Sequence, residues 1–425
     1  MTSYSLGIDL GTSGIRAAVL DEKGAVLAKA RADYGNIEPE HIRAEAWWQG
    51  VQDCLDALTV NMASLGLDSM NIARMGVDGT SGTMVLVDQN LIPVTRALMY
   101  NSSGFHVEAA MIDRFAPSSH ITRGTGSALA RMMHLQSEDF DKSAAHLLHQ
   151  ADFIAAKLMG QAGWSDENNS LKTGYDPETN SWPEWADKAG VRTNLLPTVV
   201  PAGQEIARVS PDVASRFGFS STAMVHAGTT DSIAAFLACA PLEIGAAVTS
   251  LGTTLAIKLL CPSRIDAPEI GLYSHKLGDF WLVGGASNTG GGVLRSFFSV
   301  LELDALSRDI NPAKASNLDY YPLLRPGERF PINDTELAPR LTPRPNDDAE
   351  FLHGLFESMA RIEKQCYVEM KNLGANYPTS VRTAGGGASN DVWSAIRQRV
   401  LQADILLSRQ TEAAVGVALL VQRSG

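Results

Sequence analysis

Gly245-Ala246-Ala247-Val248-Thr249-Ser250-Leu251-Gly252-Thr253-Thr254-Leu255-Ala256-Ile257 reads as strand, Gly-Thr-Thr turn, strand. The same grammar stands near the start of the chain, where Tyr4 to Asp9 leads into Gly11-Thr12-Ser13-Gly14 and Ile15 to Leu20 follows. Asp21-Glu22-Lys23-Gly24 turns again and Ala25 to Ala32 makes a third strand, so the opening is a meander. One such hairpin early in each half predicts two domains of similar construction, each offering a hydroxylated glycine turn to a polyphosphate. The boundary is expected near Leu242-Glu243-Ile244, giving domains 1–242 and 243–425.

Composition agrees with two sizeable cores. The chain has 425 residues, 45% hydrophobic and 19% charged, which is ordinary for a globular enzyme and too apolar for a disordered chain. Its net charge of −12, without a long basic run, excludes the usual footprint of a nucleic-acid or anionic-membrane binder. Cys54, Cys239, Cys261 and Cys366 lie far apart with no CxxC, so they predict neither a zinc site nor a disulfide framework and fit reduced thiols in cytoplasm. No apolar run of about 18 residues occurs, and Met1 to Ser5 lack the pattern of a signal peptide. Nothing in these residues selects an oligomeric state.

Ala227-Gly228-Thr229-Thr230-Asp231-Ser232-Ile233-Ala234-Ala235-Phe236 sets one carboxylate between a short strand, Met224 to Ala227, and a buried helix. Strand-to-helix junctions are where α/β proteins place chemistry, which makes Asp231 a candidate catalytic base; an N-cap for the helix is the other reading. Asp9, Thr12 and Ser13 crowd the first turn, where backbone N–H groups can wrap a phosphate and a carboxylate can hold Mg²⁺. Asp78-Gly79-Thr80-Ser81-Gly82-Thr83, after a strand from Ile72 to Val77, echoes that turn and reads either as a sugar-binding lip or as a plain hairpin loop. A helix is expected from Glu45 to Leu65, and a strand at Leu98 to Asn101. Gly104 to Asp166 reads as mainly helical and Trp164 to Trp185 as a polar loop region. The histidines show no pair at metal-ligand spacing and read as solvated or core.

Two triple-glycine turns follow in the second half. Gly290-Gly291-Gly292 comes after strand Phe280 to Val283, and Gly385-Gly386-Gly387-Ala388-Ser389-Asn390 lies between strand Ser380 to Ala384 and helix Asp391 to Leu401. A turn without Cβ atoms lets a nucleotide base or ribose lie against backbone, with Asn390 bonding it and Trp393 walling the pocket; tight packing of helix on strand is the alternative.

Taken in order, Gly7-Ile8-Asp9-Leu10-Gly11-Thr12-Ser13, the 78–83 string, the 227–231 string, Ser250-Leu251-Gly252-Thr253-Thr254 and the 384–390 string resemble the FGGY carbohydrate kinases over nearly the whole chain. The resemblance implies an α/β fold of two actin-like, ribonuclease H-like domains with a nucleotide and sugar cleft between them, and a small-molecule sugar as partner. It places Asp231 on the family's catalytic base, and Asp9 and Asp231 near Mg²⁺. Sugar contacts would come from Asp9, Ser13, Gly14, Ile15, Arg16, Ser81, Asp231 and Ser232. ATP would meet Thr12, Gly252, Thr253, Thr254, Gly290, Gly291, Gly385, Gly386, Gly387, Ala388, Asn390 and Trp393. Within the family, the Asp-Gly-Thr-Ser-Gly-Thr string and Tyr273 to Gly278 look like the compact branch of ribulose and xylulose kinases known from cyanobacteria and plants. That likeness implies D-ribulose as substrate, with D-xylulose as the alternative and a non-catalytic sugar or nucleotide sensor as the competing class. Tyr100-Asn101-Ser102-Ser103 stands where many relatives carry Trp-x-Asp-Arg, which argues against glycerol- or hexitol-type recognition; Arg131 and Leu135 stand where relatives carry Lys and Trp in the helix after the sugar loop.

Overall fold

The computed structural model describes residues 3–12, 14–34, 43–408 and 410–423. The chain forms two compact units, Met1–Ala238 with Glu412–Gly425, and Cys239–Thr411.

The first unit opens with the expected meander, β1 (Tyr4–Gly11), β2 (Gly14–Leu20) and β3 (Val26–Ala32), then α1 (Ala44–Ser64) and β4 (Ile72–Gly79). A smaller layer follows: β5 (Met84–Val87), α2 (His106–Asp113), α3 (Ala128–Glu138), β6 (His146–His149), α4 (Gln150–Met159), β7 (Trp164–Asp166), α5 (Glu167–Leu171) and β8 (Thr198–Val200). The chain returns to the main sheet through β9 (Glu205–Arg208), α6 (Pro211–Phe217), β10 (Met224–His226), β11 (Thr229–Thr230) and α7 (Asp231–Cys239). The sheet order is β3-β2-β1-β4-β10-β9, with β11 on β4. β1 to β3 are antiparallel, while β4 runs parallel to β1, β10 and β11.

The second unit repeats this plan with β12 (Ala247–Leu251), β13 (Leu255–Cys261), β14 (Tyr273–Leu277), β15 (Phe280–Ser287), α8 (Gly291–Phe297), α9 (Val300–Ser307), α10 (Asp348–Asn372), β16 (Ser380–Ala384), α11 (Asp391–Leu401) and β17 (Asp404–Leu407). The order is β14-β15-β13-β12-β16-β17, with β16 parallel to both β12 and β17. In each sheet a central strand therefore has an antiparallel hairpin partner on one side and parallel strands on the other, the ribonuclease H-like arrangement the resemblance implies.

The final helix, α12 (Ala413–Arg423), packs on β1, β2 and β4 of the first unit, so a second domain drawn at 243–425 takes in a helix that completes the first. Glycine makes this packing possible. A Cβ on Gly7 would overlap the Ala414 carbonyl, and one on Gly416 would overlap the Ala234 carbonyl. Gly76 and Gly79, three apart and so on opposite faces of β4, meet α12 and α4 respectively. The first core runs from Leu6, Ile8 and Ile15 through Trp47 and Val51 of α1 to Phe153 of α4.

Two local expectations differ. Leu98 to Asn101 makes only an isolated bridge, Leu98 with Met84, because β5 takes its full strand partner from β6. Residues 165–171, read as polar loop, are buried as the end of β7 and the whole of α5. Asp166 makes this possible: its carboxylate accepts the N–H groups of Asn168 and Asn169 at 2.8 and 3.0 Å and caps the turn. All four cysteines are buried and free. No helix among the described residues is long and apolar enough to cross a membrane.

Candidate active site

Parallel pairing brings three carboxylates to one end of the first sheet. Asp9, near the end of β1, is in register with Asp78 of β4, and Asp78 is in register with Thr229, two residues before Asp231. Asp9 and Asp78 share the faces of Gly7 and Gly76, where α12 packs, and lie at the carboxyl ends of their strands, the usual place for a ligand in parallel α/β sheets.

Asp9 is 4% exposed, and its Oδ2 accepts a hydrogen bond from the Arg16 guanidinium at 3.1 Å. Arg16 lies directly across the hairpin from it. Asp78 is fully buried; no N–H or O–H donor reaches either oxygen among the described residues, and its hydrogen-bond neighbour is the Asp9 carboxyl. Burial raises the pKa of both above the ordinary carboxylate range. Asp78 goes furthest, because the charge of Asp9 and the hydrogen bond to it add to burial, with Asp231 a further negative neighbour. Of the pair, Asp78 is pushed further toward its protonated form, while Asp9 has the Arg16 guanidinium beside it. The sequence reading treated 78–83 as one turn; Asp78 instead lies inside β4, and the register of that strand with β1 makes it part of the carboxylate group.

Asp231 begins α7 and is half-buried; its Oδ1 accepts the Ser232 N–H at 2.6 Å, and Ser232 is exposed. Thr12 is exposed, and Ser13 lies outside the described residues. Ser81 Oγ is buried without a hydrogen-bond partner. Gly14 has φ 145°, and a Cβ there would strike the Ala32 carbonyl, so it serves the turn and the approach of β3. Ile15 does not belong to a sugar site: it is fully buried in the core, against Gly50 of α1, because the turn's second strand sends this side chain inward.

Three turns of the second unit converge. Gly291 N–H donates to Gly252 C=O at 2.8 Å, Gly292 N–H to Thr253 C=O at 3.0 Å, and Arg295 Nη2 to Thr253 Oγ1 at 3.0 Å. Gly385, with φ 83°, lies where a Cβ would meet the Leu251 carbonyl, and Gly290 packs as closely on Thr254. Close packing thus accounts for Gly290 and Gly385, whereas Gly386 has open space where its Cβ would be. Gly252 and Thr254 are half-buried, Thr253 is exposed, and Ala388 is half-buried. Asn390 caps α11, accepting the Trp393 N–H at 2.9 Å, and its Nδ2 donates to Ser307 Oγ at 2.8 Å. Trp393 is not a pocket wall: it is 2% exposed and stacks on Phe356 at 4.9 Å between ring centroids, leaving no face for a base.

No group of three His, Cys, Asp or Glu side chains gathers at metal-binding distance among the described residues. A cation here would take one or two carboxylates and complete its shell with water and phosphate, the habit of Mg²⁺. Asp9, buried next to Asp78 and with Arg16 as its cationic partner, fits that habit, since a cation would offset the cost of placing the carboxylates together.

Two family models span the chain: the N-terminal domain of the FGGY family of carbohydrate kinases over residues 4–238, and the C-terminal domain over 247–424. The chain is 23% identical over 446 aligned positions to a xylulose kinase of Bacillus subtilis (strain 168), covering 98% of this chain and 87% of that protein. A gluconokinase of the same strain is 22% identical, with 99% and 87% covered. The crystal structure of a xyloylose kinase from Brucella ovis superposes with a TM-score of 0.88 at 20% identity, covering 99% of this chain and 90% of that one. The fold is that of a two-domain sugar kinase. This chain belongs to the FGGY family of carbohydrate kinases, and so to the phosphotransferases.

Proposed function

We propose that the protein phosphorylates a ketopentose with ATP, D-ribulose to D-ribulose 5-phosphate, with Asp231 as general base. The observation that carries this reading is the placement of Asp231 at the head of α7, beside the paired Asp9 and Asp78. The proton of the sugar's terminal hydroxyl passes to the Asp231 carboxylate while the oxygen bonds to the γ-phosphorus; the bond to the bridging oxygen breaks and ADP leaves. Asp9, with Asp231, would hold Mg²⁺, which supplies neutralisation of phosphate charge. Arg16 favours the ionised form of Asp9 against its burial and holds the carboxylate by a 3.1 Å ion pair. The Gly252, Gly290 and Gly385 turns would take the nucleotide through Thr253, Thr254, Gly386 and Ala388, with Thr12 and Ser13 toward the phosphates. Ser81 and Ser232 would meet the sugar.

The D-ribulose assignment is supported by the Asp78-Gly79-Thr80-Ser81-Gly82-Thr83 string and by Tyr100-Asn101 in place of a Trp-x-Asp-Arg string. D-xylulose is the second reading, favoured by the relatives named xylulose kinase.

ADP release from Mg-ATP, measured against D-ribulose, L-ribulose, D-xylulose, gluconate, glycerol and no sugar, tests the assignment. Stimulation by D-ribulose alone is expected, and turnover independent of sugar refutes the kinase reading. Asp231→Ala should lower kcat about 10²–10⁴-fold with ATP affinity unchanged. Equal loss of both would remove Asp231 from the chemistry.

A further inference from the structure

Asp166-Glu167-Asn168-Asn169-Ser170 is a run of five polar residues, a composition that ordinarily faces water. Here none of the five is more than 5% exposed. Asp166 spends its carboxylate on the backbone of the turn and on Asn169 Nδ2, at 2.6 Å. Asn168 is the member that reaches the carboxylate end of the main sheet. Its Nδ2 donates to Thr229 Oγ1 at 3.2 Å, and Thr229 is the register partner of Asp78 and stands two residues before Asp231.

Asn168 is fully buried, yet its Oδ1 has no hydrogen-bond partner. Turning the amide over would leave an NH₂ in the same position, so one half of this carboxamide is open in either orientation. Nor is it alone. The hydroxyl of Ser81, on the turn that follows β4, lacks a partner too, and Asp78, the register partner of Thr229, has only the Asp9 carboxyl beside it. Buried polar groups in native proteins are almost always satisfied, so an open amide half on a residue bonded to Thr229, with the open Ser81 hydroxyl on the turn after the neighbouring strand, marks a place where something else supplies the bonds. The group that suits carboxylate, amide and hydroxyl together is a polyol, whose hydroxyls both donate and accept.

We infer that Asn168 is a sugar-reading residue of the first unit, hydrogen-bonded through its free amide half to a hydroxyl of an open-chain polyhydroxy substrate other than the one phosphorylated. This rests on the reading of Asp231 as the base acting on a bound sugar. Specificity then comes in part from α5, a five-residue turn that a loop-like sequence conceals.

The test pairs Asn168→Leu, close in shape but without polar atoms, with Asn168→Asp, which keeps only acceptors. Sugar binding is read by calorimetry, and KM and kcat by ADP release, with ATP KM as the control. Asn168→Leu should weaken D-ribulose binding and raise its KM about tenfold or more, with ATP KM within about twofold of the wild type, as loss of one buried hydrogen bond requires. A purely structural role would shift both substrates together or neither. Sugar affinity unchanged in both variants overturns the inference while leaving the kinase reading intact. Sugar that binds the wild type through Asn168 without turnover keeps the inference and overturns that reading. A crystal of the wild-type protein with D-ribulose decides the case even where a variant fails to fold: a sugar hydroxyl at hydrogen-bond distance from the Asn168 amide supports the assignment, and only water there overturns it.

Discussion

Arg397→Met should strongly destabilise the second unit. Arg397 is fully buried on α11, and its guanidinium meets Glu363 of α10 in two parallel bonds of 2.7 Å each. Its third arm donates to Thr383 Oγ1 of β16 at 2.7 Å, and Thr249 of β12 donates to Glu363 Oε1 at 2.6 Å. One ion pair thus ties two helices to two adjacent strands. Removing the arginine leaves Glu363 charged, fully buried and held by Thr249, which costs about 3–5 kcal/mol. The lost bond to Thr383 adds about 1 kcal/mol. For a unit of this size each kcal/mol moves the midpoint by about 2–4 °C, so the melting point of the second unit should fall by on the order of 10 °C. Because β12 and β16 lead into the Gly252 and Gly385 turns, ATP affinity should weaken along with it while sugar affinity holds. Differential scanning calorimetry with and without Mg-ATP reads both effects. Replacing both partners, Glu363→Leu with Arg397→Met, should recover part of the loss, since an apolar pair no longer strands a charge. An Arg397→Met protein that melts within about 2 °C of the wild type would refute the reasoning.

Two further outcomes follow from the first unit. Asp78 has a pKa raised above its unfolded value, so its contribution to stability is complete below the ordinary carboxylate range near pH 4 and is lost as pH rises through the raised value; Asp78→Asn should therefore gain stability over the wild type by about 1–3 kcal/mol at pH 8 and little at pH 4, measured by urea unfolding, and an equal effect at both would show that Asp78 is not the proton holder. Gly416→Ala drives a Cβ into the Ala234 carbonyl between α12 and α7 and should cost about 3 kcal/mol, the upper end for overpacking, in the thermal midpoint of the first unit; a midpoint within 1 °C of the wild type, about, would mean the helices slide apart freely.

The meander, the hairpin of the second half and the junction at Asp231 were legible because alternation, glycine turns and a strand-to-helix switch are local signals. Asp9 and Asp231 could be singled out on that basis. Asp78 could not be assigned to the same group, since only the parallel register of β1 and β4 makes neighbours of residues 69 positions apart. Ile15 and Trp393 misled for the opposite reason: each adjoins a polar turn in sequence, but strand alternation and the helix turn rotate both into the core. Residues 166–170 gave a loop's composition to a buried element, and the one clue, an Asp followed by residues whose N–H groups it could cap, is too common to stand alone. The destination of α12 left a trace in Gly7, Gly76 and Gly416, glycines within apolar runs, but which runs they bring together is a long-range fact.

That helix has a consequence for how the protein is made. The sheet face bearing Gly7 and Gly76 is synthesised early, yet its cover, Ala413–Arg423, emerges only after all of Cys239–Thr411. At about 5–20 residues per second the face stays bare for on the order of 20–70 s of synthesis, during which the whole of the second unit, contiguous in the chain, is made. A chain that lacks residues 413–423 would leave that sheet face open and apolar, which is the form a chaperone would be called on to hold.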